Sequence, residues 1–526
     1  MRSLIALLLT AAAFAAPQRP NIIVILADDQ GYGDFTANNP ASKIATPGLD
    51  RLAAEGMRFT DAHTSSSVCT PTRYSLLTGR YHWRTRLQNG VLGGFSPPLI
   101  APERQTVADL LNSAGYRTAM FGKWHLGISW PLKGGGYADD GGNFSKAPAN
   151  ADKVDWSGEV KGGPLDCGFD EFYGISASLD MPPFVWIEGR RATEAATATK
   201  TWLRTGPAGP NFEAVDVQPG ITSRLIRYIG ERAEDAKAGK PFFAYVPLAA
   251  PHTPIVPTKE WQGSSGINSY ADFVKQVDAD VLKILEALKQ NGLERDTLIL
   301  FTSDNGCSPA AKIEELVAKG HQPNGALRGH KADIFEGGHR VPFVLRWPAA
   351  VKPGTVAPQL VGQIDLFATF AEITGAKPAD GQGEDSFSFA SVLADASAPS
   401  PRRSIISHSI NGSFAIRDGE WKLALCPGSG GWSAPKPGSK EEQGLPALQL
   451  YDLSADLAET RNLADQQKER VAALRADLEK AVAAGRTTAG PDLKNDVEVV
   501  IFKKSPQAKA AQSKGGKAKA KEKSAK

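Results

Sequence analysis

Unbroken apolar runs, rather than alternating ones, mark the main strands of this chain. Residues 21–27 (NIIVILA), 241–248 (PFFAYVPL) and 297–302 (TLILFT) are short and rich in β-branched or aromatic residues. A strand buried on both faces of a parallel sheet has no polar side to show, so it reads as one continuous run. Further strands are expected at 57–63, 117–121 and 341–347. Between them lie helical stretches at 46–56, from Cys69 to near Gly79, and at 106–114, 271–289 and 363–374. This alternation predicts an α/β fold, a large mixed and mainly parallel sheet flanked by helices. Residues 128–220 are rich in Gly, Pro, Trp and Asp with weak periodicity, and such long insertions usually form lids or binding loops. Beyond about residue 400 the pattern changes. Runs at 404–410, 414–417 and 421–425, with a turn at Asp418-Gly419, read as a β-hairpin unit. A strand at 448–453, a charged helix at 465–484 and a late strand at 497–502 complete a smaller C-terminal α+β domain built on an antiparallel sheet.

The first residues supply Arg2, an apolar run to Ala16 and a small-residue site at Ala13-Phe14-Ala15, the layout of a signal peptide. That run is too short to span a bilayer, and no other long apolar segment follows, so no transmembrane segment is expected. An exported protein, periplasmic or secreted, is the reading. The expected division is a signal peptide at 1–15, a catalytic domain at 16–400, the C-terminal domain at 401–504 and a disordered lysine-rich tail at 505–526. The tail carries seven Lys and one Glu, which is why the net charge is +3; the rest of the chain is acidic. Nucleic acid is therefore not implied as a partner. Four cysteines, one of them marked for chemistry below, support no pairing assignment.

Candidate chemistry gathers at the predicted strand ends. Asp28 and Asp29 follow the first strand, and Asp304-Asn305-Gly306 repeats that pattern after 297–302. Ligands in open α/β sheets collect at the carboxyl ends of strands. Four oxygen donors without a cysteine or histidine pair describe a hard-cation site, Ca²⁺ in preference to Mg²⁺. Cys69-Thr70-Pro71-Thr72-Arg73 has the Cys-x-Pro-x-Arg spacing that directs oxidation of the cysteine to formylglycine (3-oxoalanine). An aldehyde hydrate offers two hydroxyls on one carbon, one to attack sulfur and the other to expel sulfate afterwards. Arg73, Lys123 and Lys331 supply cations for a sulfate ester, and His125 and His252 are available for proton transfer. Lys123 and His125, two apart in what is read as extended chain, would share one face.

ILADDQGYGD (25–34), CTPTRYSLLTGR (69–80), GKWHLG (122–127), Pro251-His252, SDNG (303–306) and GHKADIFEGGHRVP (329–342) occur in one order. In these motifs the chain resembles the type I sulfatases of the alkaline phosphatase superfamily, from Asn21 to about Phe502. The resemblance implies an alkaline phosphatase-like fold and calcium bound by Asp28, Asp29, Asp304, Asn305 and the formylglycine at Cys69. It further implies that Arg73 and Lys123 hold the hydrate and that His125 assists its breakdown. Lys123, His252 and Lys331 would grip the sulfate, with His252 or Lys331 protonating the departing alcohol. The implied partners are a sulfated carbohydrate, with galactose or N-acetylgalactosamine 6-sulfate preferred, and a formylglycine-generating or radical maturation enzyme. Thr72 stands where many members carry Ser or Ala, which bears on the choice of maturation enzyme. Two other readings stay open at this stage: a phosphoesterase using residue 69 unmodified, and a calcium-dependent glycan-binding protein.

Overall fold

The computed structural model describes residues 19–143 and 146–503; the expected signal segment and lysine-rich tail lie outside them. Five strands run parallel at the centre of a ten-stranded sheet, in the order Thr297–Ser303, Asn21–Ala27, Phe242–Pro247, Arg117–Lys123 and Glu171–Ile175. Phe343–Arg346, Met57–Phe59 and Thr355–Ala357 extend one side, the first of these antiparallel to Thr297–Ser303. Short antiparallel strands at Ile187–Glu188 and Arg191–Ala192 close the other.

Alternate residues of the Asn21–Ala27 strand feed two separate cores. Ile22, Val24 and Leu26 pack with residues of the Cys69–Thr78, Val107–Ser113 and Leu366–Thr374 helices. Ile23, Ile25 and Ala27 pack with the Val217–Lys237 and Ser269–Gln290 helices. With apolar layers on both faces, a polar position inside the strand would have no water to meet, which is why the run is unbroken.

The second sheet is antiparallel throughout, in the order Ser404–His408, Phe414–Asp418, Trp421–Ala424 and Gln449–Asp452. Leu474 and Leu478 of the Lys468–Ala483 helix share a core with Ile406, Ile416, Leu423 and Leu450 of this sheet, and with Tyr81 and Trp83 just beyond the Cys69–Thr78 helix.

Three sequence expectations are corrected. The strand expected at 57–63 is two strands, Met57–Phe59 and Ala62–His63, which pair in different sheets. The strand expected at 497–502 forms no ladder; Val499 and Ile501 pack side chains onto the second core, and the segment is anchored by Asp496, which pairs with Arg80 at 2.9 Å. The alternating burial is thus satisfied by docking alone. The 21-residue helix Val217–Lys237 was not among the expected elements, because Pro219 and Gly220 stand in its first turn and break the pattern.

Candidate active site

Register brings the acids together. Ala27 lies beside Ser303 in neighbouring parallel strands, so Asp28 and Asp29 leave the sheet next to Asp304 and Asn305. The Asp29 N–H donates to Asp304 Oδ1 at 3.1 Å, and Asn305 Nδ2 donates to Asp29 Oδ1 at 2.8 Å. The other parallel strands end at the same edge. Arg117–Lys123 delivers Lys123 as its last residue, and Phe242–Pro247 leads to His252. Gly306 makes the junction possible: a Cβ there would stand 1.8 Å from Gly337 O, so two of the motifs meet backbone to backbone.

Cys69 opens a ten-residue helix in which every residue is buried, closed by Gly79 in the left-handed conformation at φ 62°. The helix is not amphipathic because it has no solvent face. Arg73, one turn on, pairs with Asp304 Oδ2 at 2.7 Å and donates to Lys123 O at 3.1 Å. Lys123 Nζ meets Asp28 Oδ2 at 2.6 Å and Ser178 Oγ at 3.2 Å. Lys331 Nζ meets Asp29 Oδ1 at 2.6 Å. Three carboxylates and three cations thus balance in a buried cluster beside Cys69.

His125 corrects the extended-chain expectation. Its φ is 57°, so the chain turns after Lys123 rather than running on, yet the imidazole still lines the same cavity as Cys69. Its Nε2 donates to Leu92 O at 2.7 Å, which leaves Nδ1 as a buried lone pair without a hydrogen-bond partner. Burial, with Lys123 and Arg73 nearby, holds His125 well below the usual histidine range and therefore neutral. His252 donates from Nδ1 to Thr253 O at 2.6 Å and has Nε2 3.6 Å from Asp29 Oδ2. Burial pushes the Cys69 thiol up to about 12. Burial also works to raise Asp28, but Lys123, His252 and Arg73 together hold it below the ordinary value. Asp304 is raised, by burial first and then by Asp28.

The donor set suits a hard cation. Asp28 Oδ1 and Asn305 Oδ1 are buried without a hydrogen-bond partner, two oxygens prepared for something other than protein. Ligand atoms of Asp28, Asp29, Cys69 and His252 lie within 4.8 Å of one another. Both Asp304 oxygens are engaged, by Asp29 N–H and Arg73. A second acidic group, His63, Glu336 and His339, has its place filled: Lys422 Nζ sits 3.0 Å from Glu336 and 3.1 Å from His339.

A cavity of about 280 Å³ opens over Cys69, lined also by His125, His252 and Lys331. It includes residues that sequence reasoning did not name: Ser178 and Asp180 beyond the fifth parallel strand, Leu203 and Arg204 from a hairpin, and Trp432 from the C-terminal region. No local pattern marks them; Ser178, Asp180, Leu203 and Arg204 fall within 128–220, the stretch expected to form lids or binding loops, and Trp432 falls outside it.

A parallel α/β sheet with an acidic, cation-balanced centre at its strand ends and a buried cysteine at a helix start defines an ester hydrolase of the sulfatase type. The family profile described as Sulfatase matches residues 20–376, and the chain belongs to that family. It is a sulfuric ester hydrolase. An N-acetylgalactosamine-6-O-sulfatase of Bacteroides thetaiotaomicron is 31% identical over 508 residues, covering 88% of this chain and 93% of that protein. Human arylsulfatase A is 32% identical over 509 residues, covering 91% and 92%. A solved Bacteroides thetaiotaomicron 6S-sulfatase, described in connection with the metabolism of multiple glycosaminoglycans, superposes with a TM-score of 0.75 at 31% identity, covering 88% of this chain and 99% of that one. Ps i-CgsB in complex with a neocarrahexaose superposes at 0.64 with 26% identity, covering 88% and 92%. The fold matches the expectation, a mainly parallel sheet with a smaller antiparallel unit.

Proposed function

We propose that this sulfatase hydrolyses carbohydrate sulfate monoesters at a formylglycine formed from Cys69, with a calcium ion held by Asp28, Asp29, Asp304, Asn305 and residue 69. The observation that carries the reading is the buried thiol itself, surrounded by Arg73, Lys123 and Lys331 at the base of a small cavity. A thiol pushed up to about 12 holds almost no thiolate at neutral pH, so as a cysteine this residue is a poor nucleophile. When present, the aldehyde hydrate supplies an oxygen nucleophile and the divalent ion supplies Lewis acidity toward the sulfate.

The chain's own residues then divide the work. Lys123, His252 and Lys331 bind the sulfate oxygens; Arg73 and Lys123 orient residue 69. His125, neutral and with Nδ1 unengaged, accepts a proton from residue 69. His252 donates Nδ1–H to Thr253 O, so a proton for the departing alcohol comes from Nε2–H of the imidazolium form, with Lys331 as the other donor. Burial of the whole cluster strengthens each of these interactions.

N-acetylgalactosamine or galactose 6-sulfate is the preferred substrate, supported by relatives named for that activity that align along most of this chain. The division at about residue 400, the maturation partner and export belong to the same proposal; among the described residues no helix is long and apolar enough to cross a membrane. The test is a panel of defined sulfated saccharides assayed with protein co-produced with a maturation enzyme. Peptide mass spectrometry is expected to find an aldehyde at residue 69, and Cys69→Ala is expected to lose activity by a factor on the order of 10³ or more. An intact thiol in fully active protein, or an unimpaired Cys69→Ala, would overturn the reading.

A further inference from the structure

The cavity over Cys69 has a charged floor and an apolar mouth. Leu203 and Trp432 both line it, and they are 74% and 40% exposed, among the few large apolar side chains facing water in the described residues. Met181 and Ile410 line it as well. Leu203 occupies the tip of the hairpin formed by Ala198–Trp202 and Arg204–Ala208, in a left-handed backbone at φ 71°. A leucine gains nothing from that conformation or that exposure on its own.

Trp432 is held in place with care. Its N–H and that of Ser433 donate to Asp333 Oδ1 at 2.8 and 3.0 Å, while Asp333 Oδ2 accepts from His330 N–H at 3.0 Å. Asp333 is fully buried, and Lys331 lies between residues 330 and 333. One carboxylate therefore fixes the tryptophan loop against the loop that carries a sulfate-binding lysine. Asp180 completes the lining. It is 3% exposed, it accepts from Arg204 through Oδ2, and its Oδ1 has no hydrogen-bond partner.

We propose that Trp432, Leu203 and Asp180 form a subsite for the sugar ring that bears the sulfate. A pyranose has C–H faces and hydroxyl edges. The faces match an aromatic ring and a leucine at the mouth. A hydroxyl donating to Asp180 supplies the partner that Oδ1 lacks, and an ester whose ring carries no hydroxyl leaves that acceptor unmet. The cavity, at about 280 Å³, lies just below the roughly 300 to 1,000 Å³ typical of small-molecule sites, room for one ring rather than for a protein segment. The inference rests on the carbohydrate reading above.

The experiment compares wild type, Trp432→Ala, Trp432→Phe and Asp180→Asn on three probes: N-acetylgalactosamine 6-sulfate, 4-methylumbelliferyl sulfate and inorganic sulfate as a product inhibitor. Trp432→Ala is expected to raise KM for the sugar sulfate roughly tenfold with kcat little changed and the Ki for inorganic sulfate unchanged, and Trp432→Phe is expected to recover most of the loss. Asp180→Asn is expected to raise KM for the sugar sulfate but not for the aryl sulfate. A sugar KM within twofold of wild type in Trp432→Ala or Asp180→Asn, or a matching rise in the sulfate Ki, overturns the subsite. Wild type that cleaves the aryl ester and no sugar sulfate instead defeats the carbohydrate reading, a separate result.

Discussion

Asp29 holds a φ of 69°, a left-handed conformation that a residue with a side chain adopts only when its surroundings impose it. Here its N–H is tied to Asp304 and its carbonyl faces Tyr270 Oη at 3.1 Å. The single Tyr270 hydroxyl proton is shared between that carbonyl and Asp34, whose Oδ2 accepts from Gly31 N–H at 2.8 Å and whose Oδ1 accepts from His321 Nε2 at 2.7 Å. His321 Nδ1 accepts from Lys43 N–H at 3.2 Å, which assigns the proton to Nε2. Three buried side chains thus hold the turn that aims Asp29 at its neighbours. Such supporting groups commonly tune metal affinity by 10- to 100-fold. At the proposed calcium site, Tyr270→Phe, which keeps the ring, is expected to weaken binding of the ion by roughly tenfold in a calorimetric titration while the far-UV spectrum stays native. Equal affinity in the two proteins would refute the role. Asp34 was visible as part of ILADDQGYGD, but Tyr270 and His321 lie 236 and 287 positions from it, and no local pattern joins them.

Between elements, the Lys331 loop and the short Glu336–His339 helix that follows it are anchored by the second sheet. Lys422 of the Trp421–Ala424 strand reaches Glu336 at 3.0 Å and Glu459 at 2.8 Å, and donates to His339 Nε2 at 3.1 Å. From there a chain of hydrogen bonds runs from His339 Nδ1 to His63 Nδ1 at 3.0 Å and from His63 Nε2 to Asp61 at 2.9 Å, with Arg417 of the same sheet pairing Asp61 at 2.7 Å. Burial works against Glu336 ionising, but the Lys422 ammonium beside it holds it well below the usual carboxylate range. Breaking one partner of a buried pair leaves an uncompensated charge, at about 3 to 5 kcal/mol. Lys422→Met should therefore lower unfolding free energy by about 3 kcal/mol in urea titration, and Lys422→Met/Glu459→Gln should recover part of it, since Glu459 is already raised to about 7 by burial and the neighbouring Glu336. A single variant as stable as wild type would show that the clamp is idle. Elements whose apolar pattern is closed within themselves, such as the Asn21–Ala27 and Thr297–Ser303 strands, were legible from the sequence, and so were the acids at their ends. The segment at 497–502 misled because a docked strap and a strand alternate burial alike, and the Lys422 network was invisible because each member is chemically unremarkable until the two sheets meet.

At the scale of the whole molecule, the junction between the two sheets is built on neutral histidines. His82 Nε2 and His408 Nδ1 are 2.9 Å apart, and His63 and His339 form the second such pair. A bond between two ring nitrogens requires one lone pair, so a pair cannot accept a proton on both facing atoms without losing its contact. Burial holds His82 at about 3 and, with neighbouring cations, His408 and His339 well below the histidine range; His63 is lowered too, mainly by burial. Unfolded histidines titrate near pH 6.5. Because the folded values are depressed, the unfolded chain binds more protons below about 6.5, so the stability these groups contribute is complete above that pH and falls as the solution becomes more acid. Asp61 acts in the same direction at lower pH: burial pushes it up, but His63, Arg340 and Arg417 prevail and hold it low, so its contribution fades once the unfolded carboxyl protonates near 3.9. Asp278 and Glu459, raised to about 6 and about 7 mainly by burial, oppose this trend, as do Asp50, Glu171, Asp304 and Glu384, also raised by burial, but the protons the unfolded chain gains between pH 7 and pH 5 go mainly to histidines. The melting temperature is therefore expected to be lower at pH 5 than at pH 7, and the difference should shrink in His82→Gln, which removes one buried imidazole from the balance. Differential scanning calorimetry at the two pH values decides it: equal melting temperatures in wild type, or an unchanged pH difference in His82→Gln, would mean that the histidine junction does not set the acid stability of this protein.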